Sequence, residues 1–361
     1  MRHLIHSVLC TMLIVGMTAC EDAVLDVNPP IDSIEDELLN DEAQIPFLVK
    51  GLQAKFGETY GTLSAYAGGL SDELVFDRSY PGATYPQYAE MEAGQITLNN
   101  NSVAAGIAAL GQLRLLADTL ATRVERISFT DETMKGYALY NAYLYGAIAR
   151  YFWASYFGLE PDQGGGVINA GPFIPSAQMY ADAVSLLNMA VQNAPTAYDA
   201  QVASSLVARI HVHEGRYSEA DAAAQAGLAE GDAPLTALFS TEAPNFWHFS
   251  AGTGRTQFVV AQRFIDYLAA DPEEAARIPL AQISATHFRQ DKYPEAASPL
   301  PFITWQEMTL IRAEAALRGG QSGTALDFAN TVRQSYGIDA LEDIDLDALF
   351  VEREKEMFCM C

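Results

Sequence analysis

Two turn-rich segments contain aromatic and polar residues suited to holding a sugar. Residues 77–88 (DRSYPGATYPQY) carry three tyrosines beside two prolines, and residues 244–249 (PNFWHF) carry the densest aromatic cluster in the chain. Aromatic rings without helical spacing can stack on the C–H faces of sugars, while polar side chains fix the orientation at the edge. The predicted ligand-contacting residues are the aromatic Tyr80, Tyr85, Tyr88, Phe246 and Trp247 and the hydrogen-bonding Arg78, Gln87 and Asn245. We predict that Tyr80, Tyr85 and Trp247 form a stacking platform; the alternative is a satellite hydrophobic cluster beneath a long loop.

A cysteine follows the apolar segment at the start of the chain. Residues 1–3 form a short basic start, residues 4–17 are mostly apolar, and residues 17–20 (MTAC) resemble a bacterial lipobox. The apolar segment is too short for a permanent membrane span, and its layout is typical of a cleaved signal. The sequence therefore predicts a signal peptide over residues 1–19 and Cys20 as a lipid anchor. A buried cysteine beside a helix is the alternative.

Other motifs that could do chemistry have simpler structural interpretations. Residues 211–214 (HVHE) look like a metal cluster, but positions i and i+2 of a helix do not share a face. Acid pairs such as Asp72-Glu73 suggest a glycosidase, which needs two carboxylates at a set separation across a cleft. On an acidic surface such pairs are usually solvated side chains. The sequence therefore predicts no catalytic group, metal site or cofactor, and hence no enzyme.

One acidic run has the spacing of a calcium loop. Acids stand at positions 1, 3, 5 and 12 of residues 343–354, but Ala348 occupies the position where the sharp turn needs glycine. The alternative is that Asp345 or Asp347 caps the helix that follows, where the helix dipole favours acids. We prefer the cap, because it also explains the helical spacing of the apolar residues.

Composition narrows the class of protein. The 361 residues include 21 Lys and Arg against 46 Asp and Glu, which gives a net charge of −25. Such a surface repels phosphate backbones and anionic headgroups, so we expect no nucleic-acid partner and membrane attachment through the lipid alone. Half of the residues are hydrophobic, enough for a sizeable core.

The body of the chain has the periodicity of helices. Residues 20–41 are acidic, contain Pro29-Pro30 and are predicted to be a solvated tether. After it, apolar residues at three- and four-residue spacing mark one helix face: Ile107, Leu110, Leu113, Leu116, Ala117, Leu120 and Val124. A similar stripe of tyrosines over residues 137–156 is interpreted as core packing. Strand-like alternation is confined to short pieces such as residues 257–260, so the chain is predicted to be mainly α.

Three segments fit a tetratricopeptide-like helix pair, which places small residues where two antiparallel helices approach. Residues 206–232 carry Ala208, the turn Gly215-Arg216-Tyr217 and Ala220. Residues 309–333 carry Ala313, the turn Gly319-Gly320 and Ala325. Residues 137–157 and 176–194 form a third pair around a Gly- and Pro-rich loop.

At these residues the chain resembles the SusD/RagB family of outer-membrane nutrient-binding lipoproteins. Residues 301–315 are similar to the family's aromatic-rich lead-in and L-x-RAEA helix. Weaker similarities are residues 71–73 (SDE), the helix that ends near Phe157-Gly158, the hairpin over residues 206–217 and the ERxxE segment at 352–356. Because the family usually continues past ERxxE, this chain is expected to be a fragment or to differ there.

The resemblance implies a fold and a role. It implies tetratricopeptide-like helix pairs packed against a less regular, loop-rich lobe, over residues 42–361. It also implies a surface lipoprotein of the cell outer membrane that captures glycans, or peptides, for a SusC-like TonB-dependent transporter. The alternative is an envelope scaffold whose helical repeats bind another protein and no small ligand.

Overall fold

The computed structural model describes residues 35–157 and 174–360. Twelve α-helices account for most of them, and the prediction of a mainly α chain is confirmed. The helices are α1 (Ile45–Leu70), α2 (Pro86–Glu92), α3 (Asn101–Val124), α4 (Glu132–Tyr156), α5 (Ser176–Asn193), α6 (Ala197–His213), α7 (Tyr217–Gln225), α8 (Phe246–Ala251), α9 (Gln262–Ala270), α10 (Trp305–Arg318), α11 (Ser322–Ser335) and α12 (Leu346–Glu356).

Short antiparallel strands mark the less regular lobe. They form two-stranded pairs in which the partners are far apart in sequence or joined by a tight hairpin. The pairs are β1 (Leu74–Val75) with β3 (Val259–Val260), β2 (Leu235–Ala237) with β6 (Leu300–Ile303), and β4 (Leu280–Gln282) with β5 (Phe288–Gln290).

The predicted helix pairs are present. Helices α6 and α7 pack together, as do α10 and α11, and α4 and α5. The first two turns pass through Gly215 and Gly320, whose φ angles of 72° and 74° lie in the left-handed region that glycine adopts without steric cost. The small residues expected at the contacts are fully buried: Ala208, Ala220, Ala313 and Ala325.

The predicted apolar face of α3 and the tyrosine stripe of α4 lie in the core. Helix α3 packs against α1 and α4, and Leu110, Leu113 and Ala117 are fully buried. Leu116 is an error in the predicted face, because its side chain is 42% exposed. By length and composition α3 is also long and apolar enough to cross a membrane, but an apolar core helix passes the same test.

Helix α12 begins at an aspartate cap. The Asp345 side chain accepts a hydrogen bond of 2.8 Å from the Ala348 N–H, which confirms the capping interpretation. Glu354, at the twelfth position of the supposed calcium loop, instead accepts from Arg263 Nε at 2.6 Å and from the Tyr267 hydroxyl. The acid that would complete a calcium loop is therefore used in an ion pair with α9.

The ERxxE segment of α12 belongs to a buried ionic cluster. Glu352 accepts hydrogen bonds of 2.9 Å from both Arg277 and Arg333. Glu274 pairs with the same two arginines and with Lys355, and its own side chain is fully buried. Buried charges of both signs must stay paired, so the cluster fixes α12 against α11 and the segment before β4.

Glu73 corrects the expectation that the acid pairs are solvated. Its side chain is 6% exposed and accepts a hydrogen bond from the Cys359 N–H.

The segment 358–360 lies in the core beside α1. Its backbone carbonyls accept hydrogen bonds from side chains distant in sequence: Phe358 from Lys292 Nζ, Cys359 from the Tyr293 hydroxyl, and Met360 from the Tyr60 hydroxyl. Burial lowers the pKa of the Lys292 ammonium, with nearby Glu356 opposing that shift.

Candidate functional site

The first candidate segment forms a loop between β1 and the start of α2, called here the tyrosine loop (residues 77–88). Its side chains differ in exposure. Those at least partly open to solvent are Arg78, Tyr80, Tyr85 and Gln87. Tyr88 lies in α2 and is only 3% exposed.

A buried amide holds the middle of the tyrosine loop. The Gln257 Oε1 atom accepts hydrogen bonds from the N–H groups of Thr84, at 2.9 Å, and Tyr85, at 3.0 Å. Its Nε2 atom donates to the Gly82 carbonyl at 2.9 Å. Gln257 is fully buried, so its amide has few alternative partners and fixes the loop backbone.

Tyr85 lies between an arginine and a core aromatic. The Arg255 guanidinium sits 4.5 Å from the Tyr85 ring centroid, and Nη1 donates to the Tyr85 hydroxyl at 2.7 Å. The Tyr85 ring meets the Tyr88 ring edge-on at 5.5 Å. Tyr88 in turn stacks on Phe258 at 4.7 Å, and burial raises the pKa of its hydroxyl. Because Tyr88 has core neighbours and almost no exposed surface, its predicted contact with ligand is wrong.

Tyr80 packs against the backbone of its own loop and against the β4–β5 hairpin. A Cβ atom at Gly82 would lie 2.3 Å from Tyr80 Cε1, so only glycine fits beneath the ring. The other neighbour is His287, whose ring centroid lies 5.4 Å from that of Tyr80. These contacts orient the half-buried Tyr80 ring at the surface.

His287 joins the tyrosine loop to the hairpin through polar contacts. Its Nε2 lies 3.1 Å from Asp77 Oδ2, and its Nδ1 lies 2.7 Å from Ser284 Oγ. The Ser79 N–H and hydroxyl, and then His287, hold the pKa of the Asp77 carboxyl below its usual range. Ser284 Oγ also accepts from the His287 backbone N–H at 3.1 Å, so this hydroxyl closes the hairpin turn. The Ser–His–Asp contacts thus serve the local structure.

Trp247 and Asn245 have structural roles, which corrects their place in the predicted platform. The Trp247 side chain is fully buried, and its Nε1 donates to Ser64 Oγ at 2.9 Å. Asn245 is also fully buried; it caps α8 by accepting from the Trp247 N–H and donates to the Ser298 carbonyl. A ring enclosed on all sides offers no face to a sugar. The alternative of a hydrophobic cluster applies to these two residues.

Phe246 is half-buried and lies beside the same core. Its ring meets Tyr66 edge-on at 5.5 Å, and Tyr66 also contacts Tyr88 at 6.3 Å. The structure therefore connects the two candidate segments through Tyr66. Contact of Phe246 with ligand stays a prediction.

Sequence reasoning missed the groups that position the loop. Gln257 stands alone before the apolar run of residues 258–261, and a lone amide there is a signal of a buried hydrogen-bonding role. Arg255 and His287 carry no local signal, because their contacts with the tyrosine loop span about 170 and 210 residues.

A groove of about 880 Å³ lies on the helix pairs, between the α6–α7 turn and α10. Arginines cover aromatic rings here: Arg312 lies 4.5 Å from the Phe328 centroid and Arg318 lies 3.9 Å from that of Tyr217. Each guanidinium also pairs with a carboxylate, Arg312 with Asp221 and Arg318 with Glu314. The groove is concave, is lined by polar and apolar side chains alike and is close to charge balance.

The remaining candidates give no further site among the described residues. No group of three or more His, Cys, Asp or Glu side chains is placed there to hold a metal ion. His211 contacts Glu214 at 3.0 Å, and burial, followed by Arg209, lowers the pKa of His213 to about 4. Cys359 is a buried free thiol. The predicted lipid anchor Cys20 lies outside the described residues.

Comparison of the sequence with protein-family models and with curated proteins finds no match. Solved structures do match. A SusD-like carbohydrate-binding protein of Bacteroides vulgatus is 13% identical with a TM-score of 0.72, over 89% of this chain and 81% of that one. A SusD superfamily protein of the same organism is 15% identical with a TM-score of 0.72, over 89% and 86%. A laminarin-binding SusD-like protein is 14% identical with a TM-score of 0.67, over 89% of each chain. The chain therefore has the SusD-like fold, as its resemblance to the SusD/RagB family predicted.

Proposed function

From the SusD-like fold, we propose that this chain is a surface lipoprotein that captures glycans and delivers them to a TonB-dependent transporter. The observation that carries the proposal is the combination of this fold, which the chain shares with carbohydrate-binding proteins, and an ordered pair of partly exposed tyrosines. The tyrosine loop is the proposed glycan site.

The geometry of the loop suits a sugar. Tyr80 and Tyr85 present ring surface on a segment stiffened by Pro81 and Pro86 and fixed by Gln257. A site ordered before binding loses less conformational entropy when the ligand arrives. Arg78 and Gln87, with exposed Thr84, supply the hydrogen-bonding groups at the edge of the rings: these fix orientation while the rings supply contact area.

The glycan site is tested by calorimetry on the full chain with oligosaccharides selected from a glycan array. Tyr85→Ala and Tyr80→Ala should each weaken binding by about tenfold, because a stacked ring contributes area and a specific aromatic contact. Tyr217→Ala is the matched control, since Tyr217 is also half-buried and covered by an arginine, but lies in the helix-pair groove. Equal affinity in both loop variants, with folding intact, would place the site elsewhere.

The anchor and partner belong to the same proposal. Residues 1–19 would be removed, Cys20 would carry lipid and residues 20–41 would tether the body, residues 42–361, outside the outer membrane. Cys20→Ser should abolish lipid labelling, because only the thiol forms the acyl-bearing thioether. Pull-down of the lipidated protein from outer membranes should recover a TonB-dependent barrel; its absence from the pull-down would refute the transport role.

We expect capture without turnover. Glycans incubated with the chain should keep their length and reducing ends, because the proposed site pairs tyrosines with hydrogen-bonding groups. Asp77, the one carboxylate within the tyrosine loop, is tied to His287 and to the Ser79 N–H. Release of shorter oligosaccharides by a preparation of the purified chain would contradict this part of the proposal.

A second candidate function is an envelope scaffold that binds another protein through its helix pairs. The groove of about 880 Å³ between the α6–α7 turn and α10 favours it, because concave surfaces of helical repeats are suited to extended partners. Two variants distinguish the scaffold function from glycan capture. Tyr217→Ala should reduce partner recovery if the groove is the binding surface, whereas Tyr85→Ala should not.

A further inference from the structure

We propose that the tyrosine loop selects a glycan that carries negative charge, a carboxylate or sulfate group, which Arg78 and Arg255 recognise. This inference rests on the proposed function and specifies the class of glycan. The inference follows from which Lys and Arg side chains form ion pairs, in a chain with more than twice as many acidic as basic residues.

Most described cations are already neutralised by a carboxylate of the chain itself. Ion pairs engage the majority of the described Lys and Arg side chains, both in the core and at the surface. The described residues that form no such pair are Lys50, Arg78, Arg114, Arg126, Arg255 and Lys292. Arg78 lies in the tyrosine loop and Arg255 lies on it, and both are exposed. Only a minority of the described guanidinium groups lack such a pair; among them, Arg78 belongs to the tyrosine loop and Arg255 donates to the hydroxyl of Tyr85 in that loop.

Arg255 is held in place by groups that leave its charge unneutralised. The guanidinium rests over the Tyr85 ring, donates through Nη1 to the Tyr85 hydroxyl and reaches Thr84 Oγ1 from Nη2 at 3.4 Å. These partners are neutral. The planar group is therefore held against one face of the Tyr85 ring, and its remaining N–H groups can donate to an anionic oxygen.

Arg78 forms no ion pair with the neighbouring acid, because that acid is engaged elsewhere. Asp77 accepts a hydrogen bond of 2.7 Å from the Ser79 N–H and pairs with His287 at 3.1 Å. The guanidinium of Arg78 has no described ion-pair partner, although an aspartate precedes it directly. The tyrosine loop thus carries one guanidinium without an ion-pair partner at Arg78 and contacts a second at Arg255.

Guanidinium groups bind carboxylate and sulfate oxygens through charge-assisted hydrogen bonds, which are roughly twice as strong as neutral ones. The net charge of −25 works against any anion at long range, so selective binding of an anionic glycan must come from these local donors. A neutral glycan would gain the tyrosine contacts and hydrogen bonds from the guanidinium groups, but not the ion pair between two opposite charges.

The test compares three probes on the full chain by calorimetry at one ionic strength: a galacturonic acid tetrasaccharide, a sulfated carrageenan tetrasaccharide and neutral laminaritetraose. We expect one anionic probe to bind at least about tenfold more tightly than the neutral one, and the preferred anion identifies carboxylate or sulfate. Arg255→Gln and Arg78→Gln should each remove most of that preference. Arg126→Gln is the control: Arg126 is also exposed and unpaired but belongs to the turn after α3, so it changes the net charge equally.

The outcomes separate this inference from the proposed function. If laminaritetraose binds as tightly as both anionic probes and Tyr85→Ala weakens that binding, the selection for charge is overturned but the glycan site stands. If Arg126→Gln reduces the preference for the anionic probe as much as the loop variants do, the charge selection is also overturned, because long-range charge alone would then explain the preference. If neither these probes nor the array glycans bind, the proposed function itself fails.

Discussion

Replacing Gln257 with Met should loosen the tyrosine loop while leaving the rest of the fold in place. The substitution keeps the length and most of the volume of the side chain but removes the three hydrogen bonds to the backbone of Gly82, Thr84 and Tyr85. A hydrogen bond inside a protein contributes about 1 kcal/mol net, so the three predict a loss of about 3 kcal/mol. Because Thr84 is exposed, its freed N–H can reach water, which reduces the expected loss to about 2 kcal/mol.

Urea unfolding of both proteins measures this loss through the midpoint, with an unchanged slope as the sign that only stability changed. Hydrogen exchange adds a local readout: the amides of Thr84 and Tyr85 should exchange faster in Gln257→Met than in the wild type, beyond what the global loss explains. Gln262→Met is the control, since Gln262 lies five residues later and bonds only Asp266 on the exposed face of α9. Unchanged stability together with unchanged exchange at both amides would refute the role assigned to Gln257.

Three further predictions concern α12. Asp345→Ala should cost about 1 kcal/mol through loss of the helix cap, and added CaCl₂ should leave the thermal midpoint of the wild type unchanged. Glu352→Ala should lower the free energy of unfolding in urea by about 3–5 kcal/mol, because Arg277 and Arg333 stay buried without this carboxylate. Glu219→Ala is the control: it removes an exposed ion pair and should cost under about 1 kcal/mol. Burial raises the pKa of Glu356, so the ionised carboxylate increasingly opposes folding as pH rises above the pKa that Glu356 has in the unfolded chain. Glu356→Gln should therefore raise the urea midpoint more at pH 8 than at about pH 5. A larger increase at pH 5 would contradict a raised pKa of Glu356.

The helical architecture could be predicted because its determinants are local. One short segment contains Ala208, Gly215 and Ala220, and this pattern indicates two helices that approach closely around a tight turn. The period of apolar residues in α3 likewise follows from the geometry of a single helix. Its one error, Leu116, arose because an apolar residue at the margin of a face is core only if a neighbouring helix covers it.

The candidate site was predicted only in part because its determinants are distant in sequence. The PNFWHF segment has the same local composition whether its rings are exposed or enclosed. The difference lies in α1, where Ser64 Oγ accepts a hydrogen bond from Trp247 Nε1 and Gly68 leaves room for the indole. In the same way, Tyr85 depends on Gln257 and Arg255 for its position. The sequence of either segment alone therefore does not identify these partners.

The anchoring of residues 358–360 has a consequence for biogenesis. Tyr60 in α1 bonds the carbonyl of Met360, 300 positions later, so the first long helix cannot reach its native surroundings until nearly the whole described chain has left the ribosome. Contacts of such separation slow folding, since a long loop must close before they form. For the surface lipoprotein proposed above, which would cross a secretion channel unfolded, this delay would be useful. The amino-terminal half cannot complete its native packing while the remainder is still being made, which would keep the proposed lipoprotein competent for export.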